Sequence, residues 1–211
     1  MSNISQKERF VIVAEGHPLR SEVERIVTER YNQAFNANVD EFMPNFSCLL
    51  GEEGEILSVC GFRAAGASSL FLEQYLDQPA ETLISEHFQQ PVPRDSIIEF
   101  GQLASFSRGV SLQHFSFLSH YLVEQGYRWC IFTATGPLYA LMRRFGLSPE
   151  ALVPADATRI ENAERIWGNY YCHKPKVSAG DLVKGAEQLL VRQQPTQSDD
   201  INAAVSGGTH G

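Results

Sequence analysis

Basic charge is scarce in this sequence: 17 Lys and Arg stand against 25 Asp and Glu, a formal net charge of −8 over 211 residues. A nucleic-acid footprint needs clustered Lys and Arg to neutralise phosphates, and an anionic membrane surface attracts the same residues, so neither partner is expected. Long apolar runs are missing too. The one near the start, Phe10-Val11-Ile12-Val13-Ala14, is closed by Glu15 and is shorter than a signal-peptide core and far below a membrane span. The reading is a soluble, cytoplasmic protein without a transmembrane segment. Cys48, Cys60, Cys130 and Cys172 stand singly in apolar, strand-like stretches without CxxC spacing, which reads as reduced, buried small hydrophobes. His17, His87, His114, His120 and His173 lack ligand spacing with one another or with cysteine; no metal site is expected, and they are read as surface or half-buried. A Walker loop, a dinucleotide fingerprint and the Gly-x-Ser-x-Gly nucleophile elbow are all absent.

What the sequence does have is enough apolar content, 43%, for one α/β domain, expected over residues 9–191. Arg9 to Ala14 reads as a first strand. Pro18 at a first helical position opens a helix with Leu19, Val23, Ile26, Val27, Tyr31 and Phe35 at helical spacing. Phe46 to Leu50 and Ile56 to Arg63 flank a glycine-containing polar turn, the pattern of an antiparallel hairpin. A short helix through Phe88 follows, capped by Asp77 or Gln78. Ile97 to Ala104 is apolar on both faces apart from Glu99 and Gln102, as a central strand requires.

A helix from Ser111 to Gln125 stopping on Gly126, a buried strand Tyr127 to Thr135, and a helix from Gly136-Pro137 to a stop at Gly146 complete a β-loop-α-β-α order. That order implies parallel strand pairing with a right-handed crossover. Beyond Leu147 the pattern predicts a short helix over Asp156–Arg165, a strand over Trp167–Lys174 and a helix over Asp181–Val191. Residues 193–211, polar and rich in Gly, Ser and Thr, hold too little apolar surface to offset ordering entropy and are expected to be disordered.

The segment Leu103-Ala104-Ser105-Phe106-Ser107-Arg108-Gly109-Val110-Ser111, between a buried strand and a helix, resembles the donor-binding turn of the GNAT superfamily of N-acyltransferases. That resemblance implies a mixed, splayed central sheet flanked by helices, with backbone N–H groups at a helix N-terminus aimed at a pyrophosphate. It implies acyl-CoA or acyl carrier protein as co-substrate, with no permanently bound cofactor. Leu103, Ala104, Ser105, Arg108, Gly109, Val110 and Ser111 become the expected donor contacts. The turn departs from the superfamily pattern, since Phe106 stands three before Gly109 and Ser111 two after it. Leu138-Tyr139 followed by Gly146-Leu147 matches the same superfamily, where a tyrosine at the place of Tyr139 commonly protonates the leaving thiolate.

The sequence also resembles the thermostable-hemolysin family, through Phe71-Leu72-Glu73-Gln74-Tyr75-Leu76-Asp77, Glu99-Phe100-Gly101-Gln102-Leu103-Ala104, Phe132-Thr133-Ala134-Thr135, Arg144-Phe145-Gly146-Leu147 and Trp167-Gly168-Asn169-Tyr170-Tyr171. The resemblance implies an acyltransferase-like fold related to acyl-homoserine-lactone synthases, which carry a glutamate on the fourth strand where Glu99 falls. A carboxylate among Ile97, Ile98, Phe100 and Leu103 is poorly solvated, so its pKa rises unless Arg or backbone donors hold it charged. It can then act as a general base, or it pairs with Arg63 or Arg94 to order the sheet. Glu73 and Tyr75 precede a turn that in the lactone synthases lies near the acceptor, so the resemblance puts them there, with a surface-capping role as the alternative; Thr133, Trp167 and Tyr170 are expected along an acyl or acceptor pocket or in the core.

The function expected is acyl transfer from a thioester to a small amine or hydroxyl acceptor. Its alternatives are a membrane-active haemolytic protein, as the family name implies, or a non-catalytic binding domain of the same fold. A pore former would need a spanning helix, a long alternating hairpin or a basic amphipathic helix, and the sequence shows none.

Overall fold

A computed structural model describes residues 9–105 and 108–193. The apolar alternation of the first half becomes three antiparallel strands, β1 (Arg9–Val13), β2 (Asn45–Leu50) and β3 (Ile56–Ala64), with α1 (Arg20–Phe35) between β1 and β2. A one-turn 3-10 helix (Phe71–Tyr75) and α2 (Ala80–Phe88) lead to β4 (Ile97–Ser105). Then come α3 (Arg108–Glu124), β5 (Trp129–Ala134), α4 (Gly136–Arg144), β6 (Glu150–Pro154), α5 (Ala163–Trp167), a 3-10 turn (Tyr170–His173), β7 (Lys176–Asp181) and α6 (Leu182–Gln193). One seven-stranded sheet results, in the order β1-β2-β3-β4-β5-β7-β6.

β4 and β5 are parallel, as the β-loop-α-β-α order predicts, and every other pair is antiparallel. The mixed sheet is splayed at this junction. Only Ile97–Phe100 pair with Trp129–Phe132; past that point β4 continues against β3, while Thr133 and Ala134 pair with β7. A bulge helps part the strands: the β3–β4 register slips between Val59 and Gly61, and Gln102 there takes a left-handed φ of 51°. Such a conformation is costly for a residue with a side chain and needs outside support. Gln102 has it, because its side-chain oxygen accepts the Met43 N–H at 2.9 Å and its amide donates to the Glu41 carbonyl at 2.7 Å.

Strand alternation sorts the core onto two faces. One carries Val59, Ile97 and Ile131 and is covered by α1, the Phe71–Tyr75 turn, α2 and α5. The other carries Cys60, Ile98, Cys130 and Phe132 and is covered by α3, α4 and α6. In α1 the residues at helical spacing, Val23, Ile26 and Val27, are buried, each worth about 1.5–3 kcal/mol. Gly126 and Gly146 both have positive φ and stop α3 and α4 as expected; the Tyr127 and Leu147 amides reach back to the Leu122 and Met142 carbonyls.

Several expectations are corrected. Pro18 and Leu19 lie outside α1, which begins at Arg20, and α2 starts after Pro79 with no side-chain cap from Asp77 or Gln78. The strand expected over Trp167–Lys174 is the end of α5 and a 3-10 turn; the strands are β6 and β7, on either side of it. Aromatics at Trp167, Tyr170 and Tyr171 mimic strand alternation, whereas Lys176–Asp181, with Gly and Ser, looks like a loop until it pairs between β5 and β6. Asp156–Arg165 holds a 3-10 turn (Ala157–Arg159) and the start of α5, with Asn162 in a left-handed conformation between them.

Cys172 is exposed, unlike Cys48, Cys60 and Cys130. His114 is wholly buried, not surface or half-buried. It lies between Ser47 Oγ at 2.8 Å and Ser58 Oγ at 2.7 Å. Because the Ser47 hydroxyl donates to the Cys60 carbonyl, it accepts from His114 Nε2–H, which leaves Nδ1 to accept from Ser58. The neutral imidazole is thus fully satisfied, and burial lowers its pKa to about 4. Residues 194–211, most of the segment expected to be disordered, lie outside the described residues.

Candidate active site

The splay between β4 and β5 organises the site. On the α3/α4/α6 face a cavity of about 360 Å³ opens beside it. Its walls are Phe100 and Leu103 from β4, Leu118 from α3, Phe132 from β5, Met142 from α4 and Leu189 from α6. Beyond Phe100 the β5-facing edge of β4 has no strand partner among the described residues, so its peptide groups border the split.

Glu99, one residue before the split, faces the opposite side of the sheet and has 0% exposure. Its carboxylate accepts the Phe71 N–H at 3.0 Å and the Leu72 N–H at 2.9 Å, at the amino end of the 3-10 turn. Arg63, its register partner on β3, has Nε 4.0 Å away. Burial raises the Glu99 pKa; the two amides and Arg63 oppose that rise, and the Glu73 charge adds to it. Arg94 does not pair with Glu99. It forks onto Glu73 at 2.6 and 2.9 Å and reaches Glu81 at 2.8 Å. Glu73 also accepts the Leu70 and Ala80 amides, and the Arg94 hydrogen bonds bring its pKa down to about 2. Every oxygen of Glu73 is therefore engaged in tying the 3-10 turn to α2 and the start of β4.

Around Glu99 the structure brings together most of the expected acceptor-side residues. Tyr75 and Tyr171 share a hydroxyl bond of 2.7 Å, and the Tyr170 hydroxyl donates to Thr133 Oγ1 at 3.0 Å, on the first β5 residue past the split. Burial raises the pKa of Tyr75 and Tyr170, the latter to about 12. Trp167 packs edge-on against Phe71 and Tyr31 and beside Tyr170. Its Nε1 is the one buried side-chain nitrogen or oxygen among the described residues without a hydrogen-bond partner.

Tyr139 is not brought beside Glu99. It packs with the cluster of the other face, and its hydroxyl donates to the Pro149 carbonyl at 2.7 Å. In the donor turn, the Ser111 hydroxyl donates to Ser105 Oγ at 2.9 Å and Arg30 of α1 donates to the Ser105 carbonyl at 3.0 Å. Leu103 lines the cavity, Ala104 is buried against the α1 face, and Val110 is half-buried. Arg108 and Gly109 open α3, but the Arg108 side chain, with Phe106 and Ser107, lies outside the described residues. Sequence reasoning missed Gln102, Met43 and the Phe71 and Leu72 amides. A polar residue in the middle of a buried strand was the available signal for Gln102.

A mixed seven-stranded sheet, splayed where β4 meets β5 and flanked by helices, defines the fold class of GNAT-like acyltransferases and acyl-homoserine-lactone synthases. The chain belongs to the thermostable hemolysin family, whose model matches residues 13–186. No curated protein matches the sequence. Among solved structures, FeeM, an N-acyl amino acid synthase from uncultured soil microbes, is similar at 14% identity and a TM-score of 0.58, covering 88% of this chain and 98% of FeeM. MesI, a CoA-dependent acyl-homoserine lactone synthase, is similar at 15% identity and a TM-score of 0.54, covering 89% of this chain and 96% of MesI. The acyl-homoserine-lactone synthase LasI is similar at 12% identity and a TM-score of 0.54, covering 83% of this chain and 91% of LasI. At these identities the likeness establishes the fold. No helix among the described residues is long and apolar enough to cross a membrane.

Proposed function

We propose that this protein is an acyltransferase that moves an acyl group from a thioester donor, acyl-CoA or acyl carrier protein, to a small amine or hydroxyl acceptor. The observation that carries the reading is the apolar cavity of about 360 Å³ meeting the split between β4 and β5, with a buried carboxylate on the far side of the same sheet. Its size falls within the ordinary range for small-molecule sites. The acyl chain occupies the cavity and the thioester carbonyl sits in the split, hydrogen-bonded by a β4 backbone amide that borders it. The donor's polar end runs to the amino end of α3, with Ser105, Arg108, Gly109, Val110 and Ser111 as its contacts.

The acceptor approaches from the opposite face, beside Tyr75, Thr133, Trp167 and Tyr170. Its nucleophilic atom forms the bond to the acyl carbon, Glu99 takes the proton directly or through water, and the carbon–sulfur bond breaks as the thiolate leaves. Tyr139, on the donor face, supplies the thiolate's proton when it releases Pro149; solvent does so otherwise. The two proton-handling groups thereby stand on opposite faces of the sheet.

Purified protein is incubated with acyl-CoAs and with acylated carrier protein against a panel of small amines and alcohols, with free thiol and acylated product as readouts. Met142→Trp, which fills the cavity, should abolish turnover without unfolding the protein. Absence of donor binding and of thiol release with every donor would refute the reading.

A further inference from the structure

The cavity does not end blindly inside the core. At its inner end it is lined by Phe100, Gly101, Leu103 and Thr133, which border the split. From there it follows β5 back to Trp129, which pairs with Asp181, the last residue of β7 before α6. Four residue steps along β5 separate the ends, a path of about 13 Å. The outer end is lined by exposed residues, Ser148, Glu150, Lys184 and Gln188, so the passage meets solvent there.

One wall of this outer mouth has no side chain. Gly185 lies in the first turns of α6, where glycine costs roughly 1 kcal/mol relative to alanine. A Cβ built on Gly185 would meet only Leu147 Cδ2, at 3.5 Å, an ordinary van der Waals contact. Apart from its own helix backbone and its two chain neighbours nothing else lies within 4 Å of that Cβ, and Gly185 lines the cavity, so a larger side chain there narrows the mouth.

We propose that the cavity is an open-ended passage for unbranched acyl chains, entered at the split and left at Gly185, so that long chains are accepted by protruding into solvent. This rests on the acyltransferase reading and adds the substrate class: long, unbranched acyl thioesters, with Gly185 as the residue that sets chain-length tolerance. The inner walls hold the part of the chain nearest the thioester. Chains longer than the passage gain no further contacts and meet no wall, whereas a closed pocket rejects each added methylene through overpacking.

The test compares straight-chain donors from butyryl- to palmitoyl-CoA, and the same acyl groups on carrier protein, by titration binding and by thiol release. In the native protein, affinity should rise with chain length until the passage is filled and then level off. Gly185→Leu should lower affinity for palmitoyl donors by about 10–100-fold and leave butyryl donors unchanged. Gly185→Ala should behave as the native protein. Leu147→Phe narrows the mouth from its other wall and should reproduce the Gly185→Leu profile, which keeps the idea testable if the leucine variant is unstable. A native protein that binds short donors but excludes palmitoyl donors would overturn this inference alone, as would variants that weaken all lengths equally. Failure to bind any acyl donor would overturn the acyltransferase reading along with it.

Discussion

Replacing Glu99 by glutamine separates chemistry from architecture, because the two side chains share a shape and differ in charge and in one hydrogen-bonding atom. Each carboxylate oxygen of Glu99 accepts one backbone amide, from Phe71 and from Leu72. Glutamine has one oxygen, so in either orientation its NH₂ faces an amide N–H and one buried donor goes unpaired. That costs on the order of 1–3 kcal/mol, partly offset because the variant no longer buries a charge. For a chain of this size the expected fall in Tm is about 2–10 °C, a loss that leaves the protein folded at room temperature.

The linkage has a definite sign. A folded-state pKa raised above the unfolded value means the native carboxyl binds the proton more tightly, so Glu99 weakens the fold progressively as pH rises through the window above the ordinary glutamate value of 4.5. The glutamine variant should lack that component. On activity, removing a positioned general base should lower turnover by about 10²–10⁴-fold with little change in donor affinity. Thermal scans across pH, donor binding by calorimetry and thiol release report the three effects. Full turnover in Glu99→Gln would refute the base assignment; loss of turnover with loss of folding would make Glu99 a structural anchor for the Phe71–Tyr75 turn.

Burial holds His114 neutral, with its pKa at about 4 against an ordinary 6.5, so its contribution is intact above pH 6.5 and about 3 kcal/mol is lost as pH falls through that window. Urea unfolding at pH 7 and pH 4.5 should show a smaller stability difference in His114→Asn than in the native protein. Gly168 adopts φ 55° and ψ −125°, and a Cβ there would lie 2.1 Å from the Phe35 carbonyl oxygen, so Gly168→Ala should destabilise by about 3 kcal/mol or more, read as a fall in Tm. Tyr139→Phe removes the bond to Pro149 and should cost about 1 kcal/mol of stability, while turnover measured by thiol release falls less than in Glu99→Gln because water also protonates a thiolate.

Hydrophobic period and punctuation determined much of this protein by themselves. The 3.6-residue spacing of Val23, Ile26 and Val27, the central apolar run from Ile97, and the stops at Gly126 and Gly146 each express a local rule, and each appears in the structure as read. The isolated glutamate in that central run was legible as a buried carboxylate for the same reason. What only the tertiary structure decided was who partners whom. Arg94 was a candidate partner for Glu99, yet it goes to Glu73 and Glu81, because the 3-10 turn and α2 converge on it from positions 21 and 13 residues away. Two amides that carry no sequence signature hold Glu99 instead. β7 was invisible since Lys176–Asp181 becomes a strand only by filling the gap between β5 and β6. The split, the cavity and the open mouth at Gly185 are likewise properties of strand register and helix placement, which depend on contacts between distant residues and leave no periodic trace in the chain.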